Sequence, residues 1–424
     1  MLKKVLIVAY YWPPAGGPGV QRWLKFVKYL PDFGIEPIVF VPENASYPIV
    51  DESLNTEISS AATVIKFPIK EPYKLAGFLS KSSKNISKGI IPDKKKQSLI
   101  QQMMLYIRGN FFIPDARIGW VKPSVSFLET YCSEHKIDTL ITTGPPHSLH
   151  LIGLHLKEKR SLKWIADFRD PWTSIDYHKE LKLSKASENK HKALEKQVLT
   201  TADQIVVTSE STRLEFEQIT SKPIEVITNG YDTVQATNLP LDNKFSMAHI
   251  GSLLSERNPE ILWRVLKKIV EENQDFEENL EVNLVGVVSE SVLKSIANNN
   301  LIKYVNNVGY VSHNESVKYQ KKSQVLLLIE SNLQEKSSII PGKLFEYMVS
   351  NRPILAIGPR PWDVSTILAH TNTGTTFSYE DEDALQSKII EYFEAFKSGT
   401  LQSHGIGLQK YSRKTLTEHL VKLL

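Results

Sequence analysis

Val5-Leu6-Ile7-Val8-Ala9 runs through Tyr10-Tyr11-Trp12-Pro13-Pro14-Ala15 into Gly16-Gly17-Pro18-Gly19, and Val20, Trp23, Phe26, Val27 and Leu30 then recur at helical spacing. An apolar run without polar alternation predicts a strand buried on both faces, and the recurrence that follows predicts a helix packed along one face. The unit is strand, glycine loop, helix. Glycines permit close backbone approach, and a helix N-terminus offers unpaired N–H groups and partial positive charge to an anion or a sugar hydroxyl. Gly16, Gly17 and Gly19 are therefore candidate binding positions, with a loop that merely turns the chain as the alternative. The spacing is not the dinucleotide fingerprint, because Arg22 stands where its last glycine or alanine would be.

The same alternation continues outward from this unit. Strand-like runs at Pro37 to Val41, Thr139 to Thr143, Trp164 to Phe168, Gln204 to Thr208 and Glu225 to Thr228 are separated by longer amphipathic stretches. This predicts an α/β fold with a parallel sheet and crossover helices. A polar stretch, Thr233 to Lys244, follows Asn229-Gly230-Tyr231-Asp232, and strand-like runs restart at Phe245 to Ile250, Glu281 to Val285, Val325 to Ile329 and Pro353 to Ile357. With 424 residues, two domains are expected: 1–235 and 236–424. Leu416, Leu420 and Leu423 or Leu424 fall at helical spacing, so Ser412 to Leu424 should be a docked helix that can return to the N-terminal domain.

Composition narrows the function classes. Cys132 is the lone cysteine, which excludes an intrachain disulfide and a cysteine-rich zinc site and points to the cytoplasm. The balance of 51 basic against 47 acidic residues is too even to argue for nucleic acid as a partner. The apolar run after Lys3-Lys4 is short and meets Pro13-Pro14 without a cleavage site, and no stretch approaches the roughly 20 apolar residues that span a bilayer. Any membrane association is then peripheral, on the inner face of the cell membrane. Lys74, Lys81, Lys84, Lys88, Lys94, Lys95 and Lys96 share one segment with Leu75, Phe78, Leu79, Ile86, Ile90 and Ile91. Such a mixture suits an anionic membrane surface and equally a solvated loop.

Four further segments carry candidate chemistry. Thr143-Gly144-Pro145-Pro146-His147-Ser148 follows a buried strand, which puts His147 at a carboxyl end, where an imidazole with a pKa near neutral can donate to a sugar hydroxyl or stabilise developing charge, with a helix-capping or packing histidine as the alternative. Arg169-Asp170-Pro171-Trp172 also follows a strand. Asp170 can orient or deprotonate an acceptor hydroxyl, or it can be half of a structural salt bridge with a neighbouring arginine. His249-Ile250-Gly251-Ser252-Leu253 leads to Arg257, whose fork suits a diphosphate. Ser338-Ile339-Ile340-Pro341-Gly342-Lys343-Leu344-Phe345-Glu346-Tyr347 predicts a helix from about Pro341, with Lys343 in its first turn for a diphosphate and Glu346 one turn on for a ribose diol.

At these residues the chain resembles glycosyltransferase family 4, the retaining transferases of GT-B fold. The order of the features carries the resemblance: the N-terminal glycine loop, Arg169 to Trp172, Asn229 to Asp232, the Gly251 loop, and Lys343 to Glu346. It implies two Rossmann-like domains facing each other across a cleft. The acceptor would sit on the side of Gly16, Gly17, Gly19, His147, Arg169 and Asp170, and the donor in the C-terminal domain. Donor contacts would come from Gly251, Ser252, Arg257, Gly309, Tyr310, Ser338, Ile339, Ile340, Lys343 and Glu346. The family holds its donor with two glutamates, of which Glu346 matches the second, while the first falls at Ser338. Ser252 stands where the family has an arginine, leaving Arg257 as the remaining cation.

The resemblance further implies metal-free transfer with retention, by front-face attack and with no cofactor besides the nucleotide-sugar substrate. Its product would be surface polysaccharide or glycolipid, made on a glycan or lipid-linked acceptor. A UDP-sugar epimerase and a non-catalytic GT-B partner subunit are the competing readings. The first would want paired acids and histidines around the sugar, and the second is kept open by Ser338 and Ser252.

Overall fold

Side chains alternate across a strand, so a strand covered on both faces must be apolar at odd and even positions alike. In β1 (Lys3–Val8) Leu6 and Val8 enter one core while Val5 and Ile7 enter another, all of them fully buried. The computed structural model describes residues 2–47, 49–71, 99–175, 178, 181–232, 239–333 and 337–424. The Lys74–Lys96 segment and the expected boundary after residue 235 lie outside the described residues.

The chain divides into two compact units, residues 1–229 with 413–424, and residues 230–412. The first unit holds a seven-stranded sheet among the described residues, ordered β3-β2-β1-β4-β5-β6-β7. Its other strands are β2 (Ile35–Pro42), β3 (Thr63–Phe67), β4 (Thr139–Gly144), β5 (Lys163–Phe168), β6 (Gln204–Val207) and β7 (Ile224–Val226). Every neighbouring pair is parallel, with Val5 opposite both Pro37 and Thr139.

Helices α1 (Pro18–Tyr29), α2 (Leu99–Phe111), α3 (Ile118–Glu134), α4 (Ser148–Lys159), α5 (Lys185–Thr201) and α6 (Glu210–Glu217) belong to this unit. Leu128 of α3 and Ile152 of α4 fill one core, and Val20, Trp23 and Val27 of α1 fill the other. Asp51, Ser184 and Ser209 each accept from a backbone N–H two or three residues on, which starts the helices that follow them.

The second unit repeats the plan. Among the described residues its six strands are β8 (Phe245–Ile250), β9 (Leu280–Val285), β10 (Val305–Gly309), β11 (Val325–Ile329), β12 (Ile354–Ile357) and β13 (Gly374–Phe377), ordered β10-β9-β8-β11-β12-β13 and all parallel. Helices α7 (Glu260–Glu272), α8 (Gln274–Asn279), α9 (Glu290–Asn298), α10 (His313–Lys322), α11 (Lys343–Met348), α12 (Asp363–Thr371) and α13 (Glu382–Lys397) complete it. Ile261, Leu262, Val265, Leu266 and Ile269 form the buried stripe of α7, each contributing about 1.5–3 kcal/mol relative to exposure.

The last helix, α14 (Arg413–Val421), returns to the first unit. Its Leu416 and Leu420 enter the core around α1 and Val5, and Arg413 donates to the Gln21 carbonyl at 2.9 Å. Among the described residues, no helix is long and apolar enough to cross a membrane.

Candidate functional site

Both sheets start with a central strand whose next two strands build out to one side before the chain crosses to the other. The switch point lies between β1 and β4 in the first unit and between β8 and β11 in the second. Ligands of such sheets bind at the carboxyl ends of those strands.

In the second unit the chain leaves β8 through Gly251 (φ +118°), whose N–H donates to the Val285 carbonyl at 2.7 Å. Gly286 (φ +137°) runs so close that a Cβ there would stand 2.5 Å from the Gly251 carbonyl oxygen. A Cβ on Gly251 would itself lie 3.0 Å from Lys343 Nζ, so the lysine covers this backbone. Tyr347 fixes α11 at that place, its hydroxyl accepting from Ile250 N–H at 3.0 Å, with Leu344, Phe345 and Met348 buried beside it.

Lys343 Nζ stands 3.4 Å from His249 Nε2, and His249 Nδ1 stands 3.2 Å from the Leu327 carbonyl. A carbonyl can only accept, so Nδ1 carries the proton and Nε2 accepts from the lysine. Burial, and then Lys343 itself, hold the imidazole well below its ordinary pKa. Burial also brings the Lys343 ammonium down to about 7, with Arg257 adding to the shift and Glu330 opposing it.

Arg257, in a short turn at Ser255–Arg257, donates from Nε to Glu330 Oε1 at 2.9 Å. That oxygen also accepts from Ser331 N–H at 2.9 Å, while Glu330 Oε2 is buried and has no partner among the described residues. Tyr379 donates to the Glu330 backbone carbonyl at 2.9 Å. Neither terminal nitrogen of Arg257 has a partner among the described residues. Two cations, one buried carboxylate and a closely approaching glycine pair therefore meet at the switch point.

The other donor candidates take the following places. Glu346 is half-buried on α11 and accepts from Gln320 Nε2 at 3.1 Å. Ser338, Ile339 and Ile340 form the segment before α11, held by Trp362 Nε1, which donates to the Ile339 carbonyl at 3.0 Å. Ser252 is exposed directly after Gly251. Gly309 (φ +78°) ends β10, an edge strand separated from β8 by β9, and Tyr310 beyond it is 83% exposed.

In the first unit Gly17 (φ +92°) is the residue before α1, and Gly16 N–H donates to the Ile49 carbonyl at 2.9 Å. Arg169 is committed to backbone. Its Nη1 donates to the Gly19 carbonyl at 2.9 Å, its Nε to the Gly144 carbonyl at 3.3 Å and its Nη2 to the Pro145 carbonyl. A Cβ on Gly19 would lie 2.6 Å from Arg169 Nη1, which explains the glycine there. Burial lowers the arginine's pKa, and the negative charge of Asp170 works against that.

His147 precedes α4 and stacks on Trp172, ring centroids 4.8 Å apart and planes 3° from parallel. Its Nδ1 is buried with no partner among the described residues. The expectation of a pKa near neutral is corrected here: burial, followed by the neighbouring His150, keeps His147 well below its ordinary pKa and uncharged. The start of α4 is already capped, because Ser148 donates N–H and Oγ–H to the Asp115 carboxylate, each at 2.8 Å. His147, Tyr11, Pro145, Pro146 and Trp172 line part of a cavity of about 220 Å³.

The departure from the dinucleotide fingerprint at Arg22 has a structural cause. Arg22 is buried and donates from Nη2 to Asp167 Oδ1 at 2.8 Å and from Nη1 to the Thr228 carbonyl at 2.9 Å. Asp167 also accepts from Trp23 Nε1 and Thr143 Oγ1, both at 2.8 Å. Burial pushes the Asp167 carboxyl up, but Arg22 and these donors outweigh it and leave it below the usual carboxylate range.

Sequence reasoning passed over Glu330, His249, Asp167 and Asp115. Glu330 could have been found, since it is an acid directly after the apolar run Val325 to Ile329, although it lacks the adjacent arginine that helped to single out Asp170. His249 and Asp167 carry a weaker signal, a polar residue one place before the end of a largely apolar strand.

Comparison with known proteins agrees with this architecture. Residues 92–235 match the model of Glycosyltransferase Family 4. No curated protein sequence matches the chain. Among solved structures, the chain is similar to sucrose-phosphate synthase from Thermosynechococcus elongatus, with TM-score 0.65, 14% identity and 99% and 98% of the two chains covered. It is similar to HepE from Anabaena, solved in complex with UDP, with TM-score 0.61, 13% identity and 99% of each chain covered. It is also similar to a Listeria monocytogenes protein assigned as a UDP-N-acetylglucosamine 2-epimerase, with TM-score 0.55, 10% identity and 99% and 95% covered. The chain thus has the GT-B fold, and the resemblance to glycosyltransferase family 4 read from its motifs holds over residues 92–235 in the family match.

Proposed function

We propose that this protein is a retaining glycosyltransferase that takes a sugar from a nucleoside-diphosphate donor held at the β8–β11 switch point. The observation that carries the reading is the meeting of Lys343, Arg257 and the Gly251 backbone at that crevice. Cations set there neutralise the leaving diphosphate as its charge develops, without requiring a metal for that task. Glu346 accepts from the ribose diol, and Ser338 leaves the transferred sugar without the family's first carboxylate. The acceptor is a glycan or lipid-linked sugar on the side of Gly16, Gly17, Gly19, His147, Arg169 and Asp170. The product is surface polysaccharide or glycolipid.

Isothermal titration with UDP, GDP and ADP tests the donor site. One of the three should bind, and Glu346→Ala should weaken it by about 1.5–3 kcal/mol, the worth of hydrogen bonds to a charged group. An unchanged affinity removes Glu346 from the site. Failure of all three nucleotides favours a non-catalytic partner subunit, and a new stereoisomer formed from a UDP-sugar alone favours an epimerase.

One surface supports peripheral attachment to an anionic membrane. Met103, Ile107 and Phe111 stand at i, i+4 and i+8 on α2 and are 59%, 38% and 73% exposed, while Leu105 docks the helix against Leu181 and Leu183. This apolar stripe follows the seven lysines of residues 74–96 in the chain, each worth about 1 kcal/mol near an anionic surface. Vesicles containing anionic lipid should sediment the protein, and Phe111→Gln should reduce that. Indifference to lipid charge refutes the attachment.

A further inference from the structure

We propose that Glu330 is the positioning residue of the diphosphate site, holding Arg257 by Nε so that both terminal nitrogens remain for ligand oxygens, and supporting the Lys343 ammonium with its charge. The inference rests on the donor-site reading above and concerns a residue outside it.

Three observations converge. Glu330 is the first residue after β11, at the switch point, and its side chain is 1% exposed. Among the described residues it takes Arg257 through Nε alone, and an arginine fixed at Nε keeps its pair of terminal N–H₂ groups for bidentate contact with phosphate oxygens. The second carboxylate oxygen is buried and has no partner among the described residues, and a carboxylate so incompletely satisfied is costly. The charge pairs with the Arg257 guanidinium and also acts on Lys343.

The groups around Lys343 come from three elements: His249 on β8, Arg257 in the turn after it and Glu330 after β11. His249 is neutral and accepts, Arg257 repels, and Glu330 is the attractive charge. An oxygen-rich anion over Gly251 binds the ammonium and not the amine. Affinity is therefore full while Lys343 is charged and falls as pH rises through its free value of about 7. Removing the Glu330 charge moves that fall to lower pH.

The test is titration of the full chain with UDP between about pH 6 and 9, for wild type, Glu330→Gln, Glu330→Ala, Lys343→Met, Arg257→Ala and the Glu330→Ala, Arg257→Ala double variant. The ionisation of UDP itself is common to all and cancels in the ratios. Wild-type affinity should drop by about tenfold per pH unit above the bend. Glu330→Gln keeps the tether and should match wild type to within about threefold at the acid end, with its bend about half a unit or more lower. Glu330→Ala should lose at least about tenfold at every pH, and Arg257→Ala should cost clearly less in the Glu330→Ala background than in wild type. Lys343→Met should remove the bend.

An unshifted bend in Glu330→Gln overturns the inference, as does wild-type affinity in Glu330→Ala. Additive losses in the Glu330→Ala, Arg257→Ala pair overturn it too, and this comparison stays readable if the absolute affinities of the variants are low. A wild-type protein that binds none of UDP, GDP and ADP overturns the donor-site reading itself, a result distinct from a nucleotide bound equally by all variants.

Discussion

Removing the carboxylate of Asp167 should be the most damaging single change in the first unit outside its apolar core. The Arg22–Asp167 pair has side chains 2% and 1% exposed, so water replaces neither partner when the other is lost. Asp167→Ala leaves a buried guanidinium unpaired and strips Trp23 Nε1 and Thr143 Oγ1 of their acceptor. Breaking such a pair costs about 3–5 kcal/mol. In domains of this size one kcal/mol moves Tm by about 2–4 °C, so a fall of about 6–20 °C is expected.

The assay is thermal unfolding followed by near-UV circular dichroism at neutral pH. Arg22→Met with Asp167→Leu removes both charges and should be less damaged than the sum of the single variants, since neither leaves a lone buried ion. Recovery should be partial, because the Thr228 carbonyl and the two lost donors remain unmet. The Asp167 carboxyl lies below its ordinary value in the folded chain, so its contribution is present above the unfolded value and is lost as pH falls through the folded one. A Tm for Asp167→Ala within about 2 °C of wild type, or strictly additive variants, would refute this reasoning.

Three further outcomes follow from the geometry. Gly19→Ala places a Cβ 2.6 Å from Arg169 Nη1, and displacing that arginine should cost about 1–3 kcal/mol in chemical denaturation, whereas a neutral result means the loop relaxes freely. Gly286→Ala combines φ +137° with a backbone clash at 2.5 Å, while Gly309→Ala has φ +78° and open space. The first should therefore lower Tm clearly more than the second, and equal shifts would show that the Gly251–Gly286 approach is not tight. His150, His178 and His191 are held neutral chiefly by burial, down to about 3, 4 and 4. Below about pH 6.5 the unfolded chain takes up these protons and the folded chain does not, so each removes about 1.4 kcal/mol of stability per pH unit. Denaturation midpoints between pH 7.5 and 5 read this, and a flat profile would contradict it.

The alternation of apolar runs with amphipathic stretches was sufficient to place β1, β2, β4, β5, β6 and β7, and β8, β9, β11 and β12. The strands it left out are β3, β10 and β13, each at the edge of its sheet. Their burial is mixed along the strand, as in Thr63–Phe67 and Val305–Gly309, so they lack both the continuous run of a central strand and a clean alternation. The candidate site was legible in part for a related reason. Lys343, Arg257 and Gly251 were found because they sit in motifs with local signatures, whereas Glu330 and Asp167 take their meaning from partners far along the chain.

The opening stretch shows where that division falls. Sequence alone determined that Val5 to Ala9 is a buried strand and that a glycine loop leads into an amphipathic helix, because these depend on local periodicity and backbone freedom. It could not say why Gly19 and Arg22 occupy their positions. Only the tertiary structure, which brings β4 and β5 beside that loop, decided that Gly19 makes room for Arg169 and that Arg22 neutralises Asp167. In the second unit, likewise, the order β10-β9-β8-β11-β12-β13 set Glu330 beside Arg257 and Lys343, a juxtaposition created by strand pairing across some seventy residues of chain.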